Sequence, residues 1–185
     1  MHPTFSEFMT AILVLVSLVA AAFDARTGRI PNWLTIPVMV LGLVAHGTAH
    51  GALAFGLSLL GLLVTALVPW AFYQGSGGRA IGGGDVKLAA AIGALAGTMQ
   101  GLEIEFAALL ALALLAVVRL AYIGKLVRVL SNVLSLLTNP LRPKAHRRAI
   151  APENLTEMRM GPGIALGVLM VLLAEHLERW LPWLA

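Results

Sequence analysis

Six apolar runs, separated by short polar breaks, decide what this chain can fold into before any motif is considered. A helix crosses the hydrocarbon of a bilayer with roughly 17–25 apolar residues. Runs at about Phe5–Phe23, Leu53–Tyr73 and Leu102–Tyr122 meet that length. A run at about Trp33–Ala45 is short, but it lengthens if Pro31 lies in the first helical turn, where its missing N–H costs little. Runs at about Val86–Met99, rich in Ala and Gly, and about Gly163–Leu181 complete the set. The expected fold class is therefore an all-α membrane protein, a polytopic bundle of about six transmembrane helices. A single domain over 1–185 is expected, with one sizeable connection outside the bilayer at about 123–160. The composition agrees: 59% of the residues are hydrophobic and 12% charged, where soluble domains have roughly 45–50% apolar and about 25% charged residues.

The net charge of +4 could suit a nucleic acid, but the placement of the charges argues for membrane orientation instead. With six spans, every Lys and Arg except Arg179 falls on one side, after the first run, around the start of the fourth, or from the end of the fifth onward. The opposite connections, His46–Ala52 and Gln100–Glu105, hold no Lys or Arg and two Glu. The positive-inside rule makes the basic side cytoplasmic and puts both termini outside. A secretory signal reading of the first run, ending in Ala20-Ala21-Ala22, lacks the positive start that such signals carry. The absence of cysteine removes disulfides, thiolate metal sites and a Cys nucleophile. No metal and no cofactor is expected. In the long connection, apolar residues at helical spacing from Leu126 to Leu137 fit a helix in the membrane interface.

Within this apolar chain two acidic groups stand out. Asp24 lies in Phe23-Asp24-Ala25-Arg26-Thr27-Gly28-Arg29-Ile30-Pro31-Asn32, and Asp85 closes Gly82-Gly83-Gly84-Asp85-Val86-Lys87. The topology puts Asp24 at the end of the first span and Asp85 at the start of the fourth, so both share one depth on the basic side. Ionisable groups at such positions are functional by default. Two carboxylates at roughly 4 Å repel by about 4 kcal/mol at an effective dielectric of about 20, so the pair prefers to hold one proton. That arrangement suits hydrolysis of a peptide bond without a covalent intermediate. The three glycines before Asp85 could let an extended peptide approach and pair with the backbone.

Plainer accounts exist for each residue. Asp85 could be the N-cap of the fourth helix after a flexible Gly75–Gly84 loop, and Asp24 could pair with Arg26. Gly93-Ala94-Leu95-Ala96-Gly97 reads as a packing stripe. His46 and His50 fall in an outer loop, which makes a poor metal site. Glu175 with Arg179 reads as an i,i+4 pair, and Trp180 with Trp183 as an interfacial aromatic belt. A rival function, a small ion- or proton-coupled transporter with Asp24 and Asp85 as ion sites, would place the carboxylates near the midplane on broken helices. A structural assembly subunit would need neither aspartate.

Taken together, Asp24-Ala25-Arg26, Arg29-Ile30-Pro31-Asn32, Leu34-Thr35 and Gly82-Gly83-Gly84-Asp85-Val86-Lys87-Leu88 resemble the prepilin peptidases, which share a Gly-x-Gly-Asp core with presenilin-type membrane aspartyl proteases. Gly161-Pro162-Gly163 resembles the opening of that family's last helix, although Arg159 and Met160 stand where the family often has a proline. The resemblance implies a membrane aspartyl endopeptidase that removes the basic leader from type IV, Flp-like prepilins and pseudopilins. It would act at the cytoplasmic face of the bacterial inner membrane. In that reading Asp24 and Asp85 are the catalytic pair. Arg26, Ile30, Pro31, Asn32, Gly82, Gly83, Gly84, Lys87, Gly161 and Pro162 hold supporting motif positions. The bifunctional members add a cysteine-bearing methyltransferase domain. This chain has neither domain nor cysteine, so the resemblance implies the compact peptidase of tight-adherence pilus systems.

Overall fold

The computed structural model describes residues 4–78, 81–127, 129–131 and 160–180. Six long helices carry them: α1 (Phe5–Thr27), α2 (Asn32–His50), α3 (Ala52–Ser76), α4 (Gly83–Ala96), α5 (Thr98–Tyr122) and α6 (Gly161–Trp180). No strand occurs among the described residues. The chain is an integral membrane protein of the helical class. α1, α2, α3 and α5 are each long and apolar enough to cross a bilayer, and α6 is apolar over Gly161–Leu177. Their outward faces carry exposed Leu15, Leu63 and Leu114, as expected where lipid is the solvent. The connection at about 123–160 lies mostly outside the described residues; of the helix expected at Leu126–Leu137, residues 126, 127 and 129–131 are described and are helical.

The fourth helix departs from expectation. It has 14 residues, about 21 Å at 1.5 Å per residue, against a hydrocarbon thickness of about 30 Å. It ends at Ala96 because Gly97 turns the chain with φ 80°, and Thr98 already begins α5. The segment Gln100–Glu105, expected as a connection, is consequently the first two turns of α5. Likewise His46–His50 is the end of α2 rather than a loop, and Pro31 is the N-cap of α2 rather than part of its first turn.

Being short, α4 is also buried: every residue from Leu88 to Leu95 is shielded, and it packs on α1, α2, α3 and α5. Small residues make this possible. A Cβ on Gly93 would strike the Gly61 carbonyl and the Thr65 hydroxyl, and one on Gly42 would sit 2.6 Å from the Ala94 oxygen. Such close backbone approach is how membrane helices gain packing where no hydrophobic force drives them together. The stripe expectation holds for Gly93, whereas Gly97 meets nothing within 4 Å and serves the turn.

A buried helix end leaves carbonyls in need of donors. Here the helix's own cap and a neighbouring helix supply them: Gly97 N–H donates to the Gly93 oxygen at 2.9 Å and Ser58 Oγ to the Ala94 oxygen at 2.7 Å, while one turn earlier Thr65 Oγ1 donates to the Ala89 oxygen at 2.8 Å. His46 Nε2 lies 2.9 Å from the Leu95 oxygen and must carry its proton there, since a carbonyl only accepts. The edge of His46 also meets Phe5 at 5.3 Å between ring centroids. At the same end Gln100 Nε2 donates to Glu175 Oε1 at 2.7 Å. Glu175 therefore ties α6 to α5, where an i,i+4 pair with Arg179 was expected. The Arg179 and Trp180 side chains and Trp183 lie outside the described residues.

Gly93→Ala should destabilise the bundle by about 1–3 kcal/mol through overpacking. Gly56→Ala, with no atom within 4 Å of the added methyl, should be neutral or stabilising by about 0.5–1 kcal/mol. Thermal unfolding of the two purified variants in detergent checks the contrast.

Candidate active site

Asp24 occupies the last turn of α1. Its carbonyl accepts the N–H of Gly28, whose left-handed φ of 66° ends the helix. A carboxylate there faces the negative end of the α1 dipole, an unfavourable place. The side chain is nevertheless buried, at 5% exposure, and its Oδ2 accepts the N–H of Gly161 at 2.9 Å. Gly161 is the first residue of α6, so the carboxylate meets the positive end of a second helix. The fit requires glycine: a Cβ at 161 would lie 2.7 Å from the Asp24 Cβ and 2.9 Å from Oδ2. Pro162 follows in the first turn of α6, where its missing N–H leaves nothing unpaired.

Asp85 lies in the first turn of α4, also buried, at 8% exposure. It is not the N-cap. Gly82 is, and the N–H of Gly82 donates to Asp85 Oδ2 at 3.0 Å. This is the returning half of a capping box, the other half being absent because glycine has no side chain. Asp85 Oδ1 is buried with no hydrogen-bond partner among the described residues, as is Thr35 Oγ1 in α2. Among the described residues, the groups that hold the two carboxylates are thus backbone amides rather than cations. The structure places the two aspartates on helices that pack together, one at the end of α1 and one at the start of α4.

The remaining motif residues frame this pair unequally. Ile30 is buried, and a Cβ on Gly84 would come within 3.0 Å of the Ile30 Cβ and 3.1 Å of its oxygen. Gly84 thereby seats the start of α4 against the α1–α2 turn. Gly83 and Gly84 are helical, so only Gly82 keeps an extended backbone. The three glycines therefore do not form a strand with which an extended peptide could pair. Lys87 Nζ donates to Asn32 Oδ1 at 2.8 Å, tying α4 to the first residue of α2 just after Pro31. Arg26 and Arg29 are exposed. Asp24 is bound by Gly161 rather than by Arg26.

Sequence reasoning passed over Glu105. The structure places it in the second turn of α5 with Oε1 buried and without a partner among the described residues. Its negative charge so close to the expected span boundary had been read as an aqueous connection.

Comparison with known proteins adds an independent finding. A family model described as the type IV leader peptidase family matches residues 11–121. A prepilin leader peptidase/N-methyltransferase of Klebsiella pneumoniae is 40% identical over 89 residues, covering 46% of this chain and 39% of that relative. The matched stretch is thus well under half the relative's length. No solved structure matches the chain.

The cysteine-free background makes the Gly84–Ile30 contact directly testable. Ile30→Cys combined with Gly84→Cys places the two Cβ atoms close to the roughly 3.5–4.5 Å that a disulfide needs. The double variant should cross-link on mild oxidation, read as loss of maleimide labelling that reductant restores, while each single variant stays labelled.

Proposed function

The chain belongs to the type IV leader peptidase family, and on that premise we propose that it is a membrane aspartyl endopeptidase with Asp24 and Asp85 as its catalytic pair. The observation that carries the reading is that two buried carboxylates, on the packed helices α1 and α4, each accept a backbone N–H, with Asp85 Oδ1 left open among the described residues. Structural carboxylates are ordinarily neutralised by cations or satisfied at both oxygens, whereas a reacting pair needs free acceptor capacity.

In this mechanism the pair holds one proton. The ionised member takes a proton from a water, whose oxygen attacks the scissile carbonyl, and the protonated member donates to the carbonyl oxygen. As the tetrahedral species collapses, the C–N bond breaks and a proton passes to the departing amine. The leader leaves with a new carboxyl group and the mature chain with a new amine, and the pair again holds one proton. Gly82 and Gly161 fix the orientation of the carboxylates, and the Lys87–Asn32 bond and the Ile30–Gly84 contact hold α4 and α2 in place around them.

The substrates in this reading are type IV prepilins, Flp-like ones and pseudopilins included, cut where the basic leader meets the apolar helix. The charge distribution supports an active site on the cytoplasmic face of the bacterial inner membrane, with both termini outside and the whole chain acting as one domain. The transporter alternative gains no observation of its own.

Asp24→Asn and Asp85→Asn should each lower cleavage of a co-expressed prepilin by about 100-fold or more without loss of membrane insertion. Gel mobility of the pilin and fractionation of the variant check both halves. Appreciable cleavage by both variants would remove the pair from the mechanism.

A further inference from the structure

Among the described residues Asp85 is oriented by one main-chain amide, that of Gly82, 3.0 Å from Oδ2. That amide belongs to Gly82-Gly83-Gly84, the least restrained kind of backbone, since glycine reaches regions of φ and ψ closed to other residues. An amide that keeps a carboxylate in one rotamer must itself be kept in place. From one side Ile30, before α2, does so at Gly84, where an added Cβ would lie 3.0 Å from the Ile30 Cβ. The residue that answers it from α3 is Tyr73.

α3 ends in a Schellman turn. Gly78 N–H donates to the Tyr73 oxygen at 2.8 Å and Gly77 N–H to the Gln74 oxygen at 3.2 Å, with Gly77 and Gly78 at φ 61° and 76°. The Tyr73 ring then lies against both Gly78 and Gly83. Its Cε2 would be 3.1 Å from a Cβ added at Gly78 and 3.8 Å from one added at Gly83. Helix register explains this reach. Thr65 Oγ1 bonds the Ala89 oxygen, so in these antiparallel helices the Tyr73 backbone stands about 6 Å beyond that of Asp85 along the axis. A helical side chain leans back toward the start of its own helix, here toward the first turn of α4. At 37% exposure Tyr73 lies outside the buried core.

We propose that Tyr73 is a positioning residue for Asp85: its ring pins Gly83 to the turn at Gly78, and Gly83 in turn keeps the Gly82 amide on Oδ2, with Oδ1 left open. This deepens the peptidase reading and rests on it. Tyr73 acts through the glycines rather than on the substrate. The ring atoms nearest to Gly78 and Gly83 are carbons, so the flat ring, and not its hydroxyl, carries the effect. Without the ring the Gly82 amide drifts and the carboxylate leaves the geometry of attack, and a displacement of about 1 Å costs up to about 100-fold in rate. A loss of this kind falls on kcat rather than on KM.

Amide exchange and kinetics test this together, on the full-length protein in detergent with Tyr73→Phe and Tyr73→Ala. Deuterium uptake at Gly82, read by mass spectrometry with backbone fragmentation, should be about tenfold faster or more in Tyr73→Ala than in the wild type. It should approach the rate in Asp85→Ala, which removes the acceptor, while Tyr73→Phe matches the wild type. With a synthetic prepilin peptide spanning the leader junction, Tyr73→Ala should lower kcat by about tenfold or more and leave KM within about twofold. Tyr73→Phe should retain both constants. Wild-type exchange at Gly82 in Tyr73→Ala overturns the proposal. So does a Tyr73→Phe variant as impaired as Tyr73→Ala, which gives the role to the hydroxyl. A change confined to KM also overturns it, because the ring then touches the substrate. If Tyr73→Ala fails to fold, Tyr73→Leu, which keeps bulk without a flat ring, is judged by the same outcomes. Absence of prepilin cleavage by the wild-type protein would count against the peptidase reading, whereas the exchange measurement judges Tyr73 independently.

Discussion

The contact between the backbones of Gly61 and Gly93 is the constraint on which the rest of the structure depends. Because neither residue has a side chain, α3 and α4 approach until a methyl group on either would meet main-chain atoms of the other. That approach brings the hydroxyls of Ser58 and Thr65 within reach of α4 carbonyls, so the buried end of a short helix keeps its polar groups satisfied. Weak individual terms reinforce one another: packing at the glycines aligns the donors, and the donors fix the rotation of α4 about its axis. Rotation is what decides that Asp85 and Leu88 turn inward. A looser interface would leave the same sequence helical with the carboxylate free to reach water or lipid headgroups.

At the other end of α4 the same economy of means recurs. Among the described residues, each aspartate is bound through one oxygen by one amide at a helix start: Gly82 for Asp85, Gly161 for Asp24. A lysine or arginine in either role would hold its carboxylate as a permanent anion and make proton exchange between the two more difficult. An amide orients without adding a full charge. For Asp24 the amide also answers a conflict, since the end of α1 disfavours a carboxylate and the start of α6 favours one. Local preference and tertiary context disagree at this residue, which is where functional positions tend to lie.

How much of this was legible in the sequence differs by feature. Helix placement was, because runs such as Phe5–Phe23 and Leu102–Tyr122 allow only one element in a bilayer. The placement of Asp24 and Asp85 at one end of the bundle was also legible, since it follows from span parity alone. The brevity of α4 was not. Hydropathy counts Gly97, Thr98 and Met99 as a continuation, and the stop lies in the φ of Gly97, a backbone property that window averages do not carry. Glu105 was misplaced for a related reason. An acidic residue near a span boundary lowers the local hydropathy whether it points to water or inward, and the direction depends on where α5 begins. The Gly161–Asp24 bond joins residues 137 apart, and no periodic pattern encodes a contact between a loop-distant amide and a carboxylate.

Depth is the last consequence of a short central helix. The Thr65–Ala89 hydrogen bond sets the antiparallel register of α3 and α4, so Asp85, four residues before Ala89, lies level with about Pro69. α3 continues from there to Ser76, seven residues or about 10 Å further. α5 rises higher still: the Gly93–Gly101 contact puts Asp85 level with about Leu109, and α5 runs to Tyr122, about 20 Å beyond. α3 and α5 thus extend past the start of α4, and a Cβ added at Gly83 would lie 3.8 Å from the Tyr73 ring. In the proposed function, a substrate whose apolar segment lies in the bilayer would meet the aspartates only if its backbone opens at this depth, since a closed helix keeps every carbonyl in its own ladder. The junction between a polar leader and an apolar helix is where opening costs least, because water can still reach the leader side. In the proposed function, the depth at which α4 begins would set which bond along a substrate is presented.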